Sequence, residues 1–207
     1  RTSGPGASGF SLLGMERDTP GFTRTELKKM GWWASDTAEL HFDDCRVPAS
    51  NLIGAEGQAF PLIMRNFNGE RLTLAASACG AAQACLEDAV AWARERKTFG
   101  QPLIAHQVIR HKLVDMAERI EATRALIDDL ALRLDGGEQP VAQTAMAKNY
   151  AARTMQFCAD AAVQILGGSG YMRGVRVERI YREVKVMMIG GGAEEVLKDL
   201  AARHLGF

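Results

Sequence analysis

From Gly57 to Leu166 the chain carries apolar residues at helical spacing, interrupted only by glycine- and proline-bearing breaks. That pattern admits little besides packed helices. A first helix is predicted over 57–96, with Leu62, Ile63, Leu72, Ala75, Ala76, Leu86 and Val90 recurring mostly at three and four. Pro61 is tolerated only in a first turn, which leaves a later start open. Gly100-Gln101-Pro102 breaks the chain, and a second helix is predicted over 104–134, ending at Gly136-Gly137, glycines suited to a C-terminal cap. Pro140 sits where a third helix begins, running to about Leu166 before Gly167-Gly168-Ser169-Gly170. A short helix over 177–186 and a last one over 193–204 flank Gly190-Gly191-Gly192. Long helices with short connections predict an up-down four-helix bundle in a mainly α protein.

Residues 1–55 read differently. Gly9-Phe10-Ser11-Leu12-Leu13 and Ala38-Glu39-Leu40-His41-Phe42 have strand character, separated by stretches containing Pro20-Gly21 and Val47-Pro48. So few strands make a poor independent unit. With a Gly/Ser-rich opening leading straight into a strand, the expectation is the C-terminal part of a β domain whose earlier strands lie elsewhere. Residues 56–207 form the bundle domain in this reading.

Basic and acidic residues balance at 25 each, and neither sign is gathered in blocks. The electrostatic case for nucleic acid or an anionic membrane surface is therefore weak. No apolar run reaches the length of a membrane span. Cys45, Cys79, Cys85 and Cys158 lack Cys-x-x-Cys or partnered His spacing, so free thiols in a reducing compartment are expected rather than disulfides or zinc. Cys79 and Cys85, six apart, are expected on different faces of their helix. The expectation is a soluble, intracellular protein.

The connections are more specific than the helices. Arg94-Glu95-Arg96-Lys97-Thr98-Phe99-Gly100 ends the first helix with cations and an aromatic; alone, it reads as a charged terminus complementing the helix dipole. Gln164-Ile165-Leu166-Gly167-Gly168-Ser169-Gly170-Tyr171 reads alone as a glycine cap, or as a place where backbone approaches a ligand. Together with His106-Gln107, Arg179-x-x-Arg182-Glu183-x-Lys185, the upstream Lys29-Met30-Gly31 and Ser35-Asp36-Thr37, and Phe42-Asp43-Asp44-Cys45-Arg46-Val47-Pro48, these stretches follow the order and separations of the acyl-CoA dehydrogenases. The chain resembles the C-terminal portion of that family along essentially its whole length.

The resemblance implies an FAD-dependent enzyme built from an N-terminal helical domain, a middle β domain and this helical domain. It acts on acyl-CoA substrates and passes electrons to an electron-transfer flavoprotein. The resemblance further implies a homo-oligomer, tetramer or dimer, in the bacterial cytoplasm or mitochondrial matrix. Arg96, Phe99 and Gln107 look like the set reaching FAD of a neighbouring subunit. Gln164, Ile165, Leu166, Gly167 and Gly168 resemble the part holding its dinucleotide end, where a guanidinium and backbone N–H groups suit a pyrophosphate. The isolated chain is expected to be inactive, and a non-catalytic helical scaffold or an acyl-CoA oxidase are the alternatives.

The family reaction removes the α-proton of a thioester while the β-hydrogen leaves as hydride, so a carboxylate must face the α-carbon. Many members hold that glutamate in a Tyr-Glu-Gly-Thr-Ser-Glu motif near the C-terminus. The matching stretch here is Gly190-Gly191-Gly192-Ala193-Glu194-Glu195, with Gly191 at the base position. Isovaleryl-CoA and long-chain types use a glutamate on the first helix of this domain, in a Glu-Arg-Leu; this chain has Asn68-Gly69-Glu70-Arg71-Leu72. The resemblance thus implies Glu70 as base and the Gly191 N–H as donor to the thioester carbonyl. Asn68, Gly69, Arg71 and Gly192 are the residues expected near substrate, with Arg71 favoured as a buried structural ion pair. Ala193, at the family's threonine, and Glu195 are expected near the cofactor; Glu194 sits at a serine position.

Overall fold

Strands too short to build a sheet give the first part of the chain only two-stranded ribbons. The computed structural model describes all of residues 1–207, which divide into compact units at 1–67 and 68–207. In the first unit β1 (Leu12–Leu13) pairs antiparallel with β4 (Leu52–Ile53). β2 (Phe22–Glu26) pairs antiparallel with β3 (Ala38–Phe42), from Phe22 opposite Phe42 to Glu26 opposite Ala38. The expected strand over 38–42 is present. The one expected over 9–13 shrinks to Leu12–Leu13, because Ala7–Gly9 turns as a 3-10 helix. β2 carries a single apolar residue and so lacks the alternation that marks a strand in sequence; its two threonines favour extended backbone. The Phe22 and Phe42 rings, 5.2 Å apart, fasten its end.

The second unit is helical. α1 (Ala59–Glu95) carries Pro61 in its first turn, where a missing N–H costs nothing. α2 (Gln107–Asp135), α3 (Val141–Leu166), α4 (Arg176–Ile189) and α5 (Glu194–Leu205) follow, within a few residues of the predicted spans. The predicted break at 100–102 is instead a hairpin: β5 (Lys97–Thr98) pairs with β6 (Gln101–Pro102).

The core explains why these helices share one bundle. On α1 the residues Ala75, Ala78, Ala82, Cys85, Ala89 and Ala93 are all buried, at spacings of three and four. They pack in one cluster with Ala151, Ala152, Met155, Cys158, Ala159 and Ala162 of α3. Small side chains line the cluster from both helices, while larger residues such as Met116 and Ile120 of α2 and Val177, Ile180 and Val184 of α4 fill the rest. α3 is the central element, packing on α2, α4 and α5. α5 docks through Leu197 and Ala201 onto Ala142 and Ala145. Such a core has no room for growth: Ala159→Leu is expected to destabilise the protein by about 1–3 kcal/mol through overpacking, read as a lowered urea midpoint with an unchanged m-value.

Cys79 and Cys85 are both buried in this cluster, Cys79 with its Sγ 3.9 Å from Ile120 O of α2. Burial pushes the Cys85 and Cys158 thiols up to about 12, so they behave as small apolar residues. No helix is long and apolar enough to cross a membrane.

Candidate active site

Two residues adjacent on α1 meet a loop more than a hundred positions later. Arg71 is buried, 6% exposed, and its Nε donates to the Gly191 carbonyl at 3.1 Å while Nη1 donates to Asn68 Oδ1 at 3.0 Å. Burial holds its guanidinium pKa below the usual arginine value. Arg71 therefore ties the turn bearing Asn68 and Glu70 to the 190–192 loop. Asn68 thereby engages Arg71 through its Oδ1. Glu70 lies one residue before Arg71 on α1, with its side chain on an exposed position. Gly69, beside it, is also exposed.

The loop is held by main-chain acceptors. α4 ends at Ile189, and the Gly190 N–H closes that helix on the Val186 carbonyl at 2.7 Å. Lys148 of α3, 1% exposed, donates from Nζ to Met188 O at 3.1 Å and to Gly192 O at 2.9 Å. The neighbouring Asn149 donates from Nδ2 to Glu194 O at 3.0 Å. Gly191 has φ of +69°, and a Cβ there would meet Leu74 Cδ1 at 2.6 Å. A side chain at 191 therefore meets both left-handed backbone strain, about 1–2 kcal/mol, and a neighbour that must move. The loop presents backbone, not a side chain, at 191.

Of the competing carboxylates, Glu194 is engaged by Arg153 and by Lys198, the latter at 3.0 Å, and its side chain is 14% exposed. Both Glu194 and Glu195 stand in the first turn of α5, where acidic residues suit the helix dipole. Ala193 precedes them as the α5 N-cap and supplies no side-chain cap.

Lys148 joins this site unannounced by sequence, where it reads as an ordinary helical lysine. Burial, reinforced by the positive charge of Arg71, lowers its pKa from 10.5 to about 8. Below about 8 the ammonium is charged in both folded and unfolded states and the burial penalty is present in full. Between about 8 and 10.5 the unfolded chain keeps a proton the folded protein has released, so stability rises with pH. The expected result is that wild type gains stability relative to Lys148→Met as pH rises from 7 to 10, measured by urea unfolding of the two proteins in parallel.

A second constellation lies at the other motifs. Arg96, Thr98 and Leu103 share an open cleft of about 490 Å³ with Ile165, Leu166, Gly167, Gly168 and Ser169. Stretches some 70 positions apart in sequence are thus brought together. Gly167 closes α3 with φ 60° and ψ −136°, a conformation open essentially to glycine. Ile165 and Leu166 are buried, leaving mainly their backbone for a ligand, and Gln164 is exposed on the same last turn. The β5–β6 turn has two left-handed residues, Phe99 at φ +50° and Gly100 at φ +82°. Two positive φ values suit a tight hairpin, but for a phenylalanine the conformation is rare. It displays the Phe99 ring 98% exposed.

His106 braces this hairpin, a part the sequence did not assign it: its Nε2 lies 3.1 Å from Thr98 Oγ1, and Gln101 Nε2 donates to its Nδ1 at 3.3 Å. Gln107, next in sequence, opens α2 and is exposed. An exposed guanidinium, backbone at two glycines and a projecting aromatic ring suit a phosphate-bearing dinucleotide such as FAD. No group of three His, Cys, Asp or Glu side chains is placed to hold a metal ion.

Comparison with known proteins follows the same lines. Residues 57–206 match the family model described as acyl-CoA dehydrogenase, C-terminal domain. The chain is 41% identical over 201 residues to an acyl-CoA dehydrogenase of Bacillus subtilis (strain 168), covering 97% of this chain and 53% of that protein. It is 39% identical over 201 residues to an acryloyl-CoA reductase (NADH) of Anaerotignum propionicum, covering 97% of this chain and 51% of that protein. It superposes on the crystal structure of an acyl-CoA dehydrogenase from Geobacillus kaustophilus with a TM-score of 0.94 at 38% identity, over 97% of this chain and 53% of that one. The chain spans about half the length of the curated relatives it matches.

Proposed function

The chain belongs to the acyl-CoA dehydrogenase family, and from that premise we propose that the whole protein is an FAD-dependent acyl-CoA dehydrogenase with Glu70 as its base. Residues 1–55 are the end of the middle β domain in this reading, and 56–207 the C-terminal helical domain. The observation that carries it is the hydrogen bond from Arg71 to the Gly191 carbonyl. It ties Glu70's turn of α1 to the loop that holds the base in other members, so a glutamate on either element serves one site.

The Glu70 carboxylate takes the α-proton of the acyl-CoA thioester. Its conjugate base is the enolate-like thioester, and the Gly191 N–H donates to the carbonyl oxygen on which that charge develops. FAD, when bound, would supply the acceptor for the β-hydrogen, which leaves the substrate as hydride. Arg96, Phe99, Gln107 and the 164–168 turn would hold the cofactor, the Arg96 guanidinium and the backbone N–H groups of the turn offering donors suited to a pyrophosphate; Ala193 and Glu195 would lie on the cofactor side. Asn68, Gly69, Arg71 and Gly192 shape the substrate side. Reducing equivalents then pass to an electron-transfer flavoprotein, and the enzyme works as a homo-oligomer because one cofactor site draws on two subunits.

The test is direct. The protein at the full length of its relatives, purified with FAD, is expected to carry visible flavin absorbance and to reduce an artificial dye with at least one member of a panel of short, branched and long acyl-CoA thioesters. A flavin-loaded protein that reduces dye with none of them would end this reading.

A further inference from the structure

Four carbonyls in and beside the 190–194 loop are taken by buried or half-buried donors from other helices. Arg71 of α1 holds Gly191 O, and Lys148 holds Met188 O and Gly192 O. Asn149 holds Glu194 O. Lys148 and Asn149 come from α3, the central helix of the bundle, not from the elements that carry the loop. Lys148 is also costly to keep there. A charged amine 1% exposed loses most of its hydration, and no carboxylate pairs with it in any ion pair of the structure. Its compensation is the two carbonyls, one of them at the C-terminal end of α4, where partial negative charge gathers.

The geometry of these contacts brackets Gly191. On its N-terminal side the Gly190 N–H is fixed to Val186 O at 2.7 Å, and on its C-terminal side the Gly191 carbonyl is fixed by Arg71. The next carbonyl, at Gly192, is fixed by Lys148. Gly191 and Gly192 both have positive φ, +69° and +113°, and glycine has the widest backbone freedom of any residue. Without outside anchors this pair would wander. The donors convert the most flexible step of the loop into one with few remaining degrees of freedom, and the Gly191 N–H lies between the anchored points.

We propose that Lys148, assisted by Asn149, is a positioning residue for the reaction: by clamping the Met188, Gly192 and Glu194 carbonyls it holds the Gly191 N–H in the orientation that polarises the thioester carbonyl. The inference rests on the acyl-CoA dehydrogenase reading and adds to it a residue that touches neither substrate nor cofactor. Orienting a donor before reaction is worth most where charge develops in the transition state, so the effect falls on kcat more than on KM.

The test uses the whole, FAD-loaded protein and Lys148→Met, which keeps a long flexible side chain but removes all donors. Three readouts are taken on protein that retains native circular dichroism and its flavin absorbance. The first is steady-state turnover: kcat is expected to fall by about 10–100-fold with KM changed far less. The second is amide hydrogen exchange, expected to speed up over 188–194. The third is the red shift of a bound chromophoric α,β-unsaturated acyl-CoA, which grows as its thioester carbonyl is polarised and is expected to shrink in the variant. Lys148→Arg, which keeps charge and donors, is expected to recover part of that shift.

Should Lys148→Met fail to fold, Asn149→Ala removes a single donor and is expected to move the same three readouts in the same direction by less. A folded, flavin-loaded variant of either kind with wild-type kcat and wild-type red shift overturns the inference. Glu70→Gln separates the two readings, since it loses turnover while keeping the red shift. A wild-type protein with no turnover of any acyl-CoA overturns the proposed function, and this inference with it.

Discussion

Glu70→Gln in the whole protein is expected to lower kcat by about 10²–10⁴-fold while leaving bound flavin and acyl-CoA affinity close to wild type. Glutamine preserves the shape of the side chain and its capacity for hydrogen bonds, and removes only the ability to accept a proton. The expectation is sharp because the alternatives are weak. Gly191 offers no side chain, and its left-handed backbone beside Leu74 resists one. Glu194 is already held by Arg153 and Lys198 and is largely enclosed. Glu195 stands exposed on the first turn of α5. Dye-coupled turnover and a substrate-binding titration on the same preparation check the split between chemistry and binding. Turnover at the wild-type rate would move the base elsewhere, with Glu195 next to be changed.

The second large effect is on stability. Arg71→Ala is expected to cost about 3 kcal/mol, read as a fall in the urea midpoint, because it strands the half-buried Gly191 carbonyl and empties the buried space of the arginine side chain. Arg71→Lys is not expected to recover much of that loss. One ammonium on a flexible stem cannot reproduce a planar fork that reaches Gly191 O at 3.1 Å and Asn68 Oδ1 at 3.0 Å together. A change within about 0.5 kcal/mol, the usual range for an ordinary surface position, would show that the loop holds itself without this arginine.

The helices were readable because their signal is local. Periodicity and glycine or proline breaks placed α1 to α5 to within a few residues, and the Gly136-Gly137 stop is found as a cap, with Gly136 N–H on Leu132 O and Gly137 N–H on Leu134 O. The ribbons were harder. β2 has no alternation to read, and the β5–β6 turn uses phenylalanine where a left-handed position ordinarily calls for glycine or asparagine.

The candidate site divides in the same way. Its motif residues, Glu70, Gly191, Arg96 and the 164–168 turn, were visible through resemblance. The bonds that assemble it were not: Arg71 to Gly191 spans 120 positions and Lys148 to Gly192 spans 44. A lysine in a helix carries no mark in sequence that it will be buried. Only the packing of α3 against α4 and α5 puts Lys148 where two carbonyls replace its water.

The main-chain character of that clamp bears on how such a site can change over time. Arginine, lysine and asparagine grip carbonyl oxygens, which every residue type possesses, so the clamp itself does not read the side chains of the loop. What limits the side chains at 191 and 192 is instead their left-handed backbone, which favours glycine at both. A glycine at 191 is thus compatible with an intact frame, and the base proposed on α1 makes no demand on the side chains of the loop.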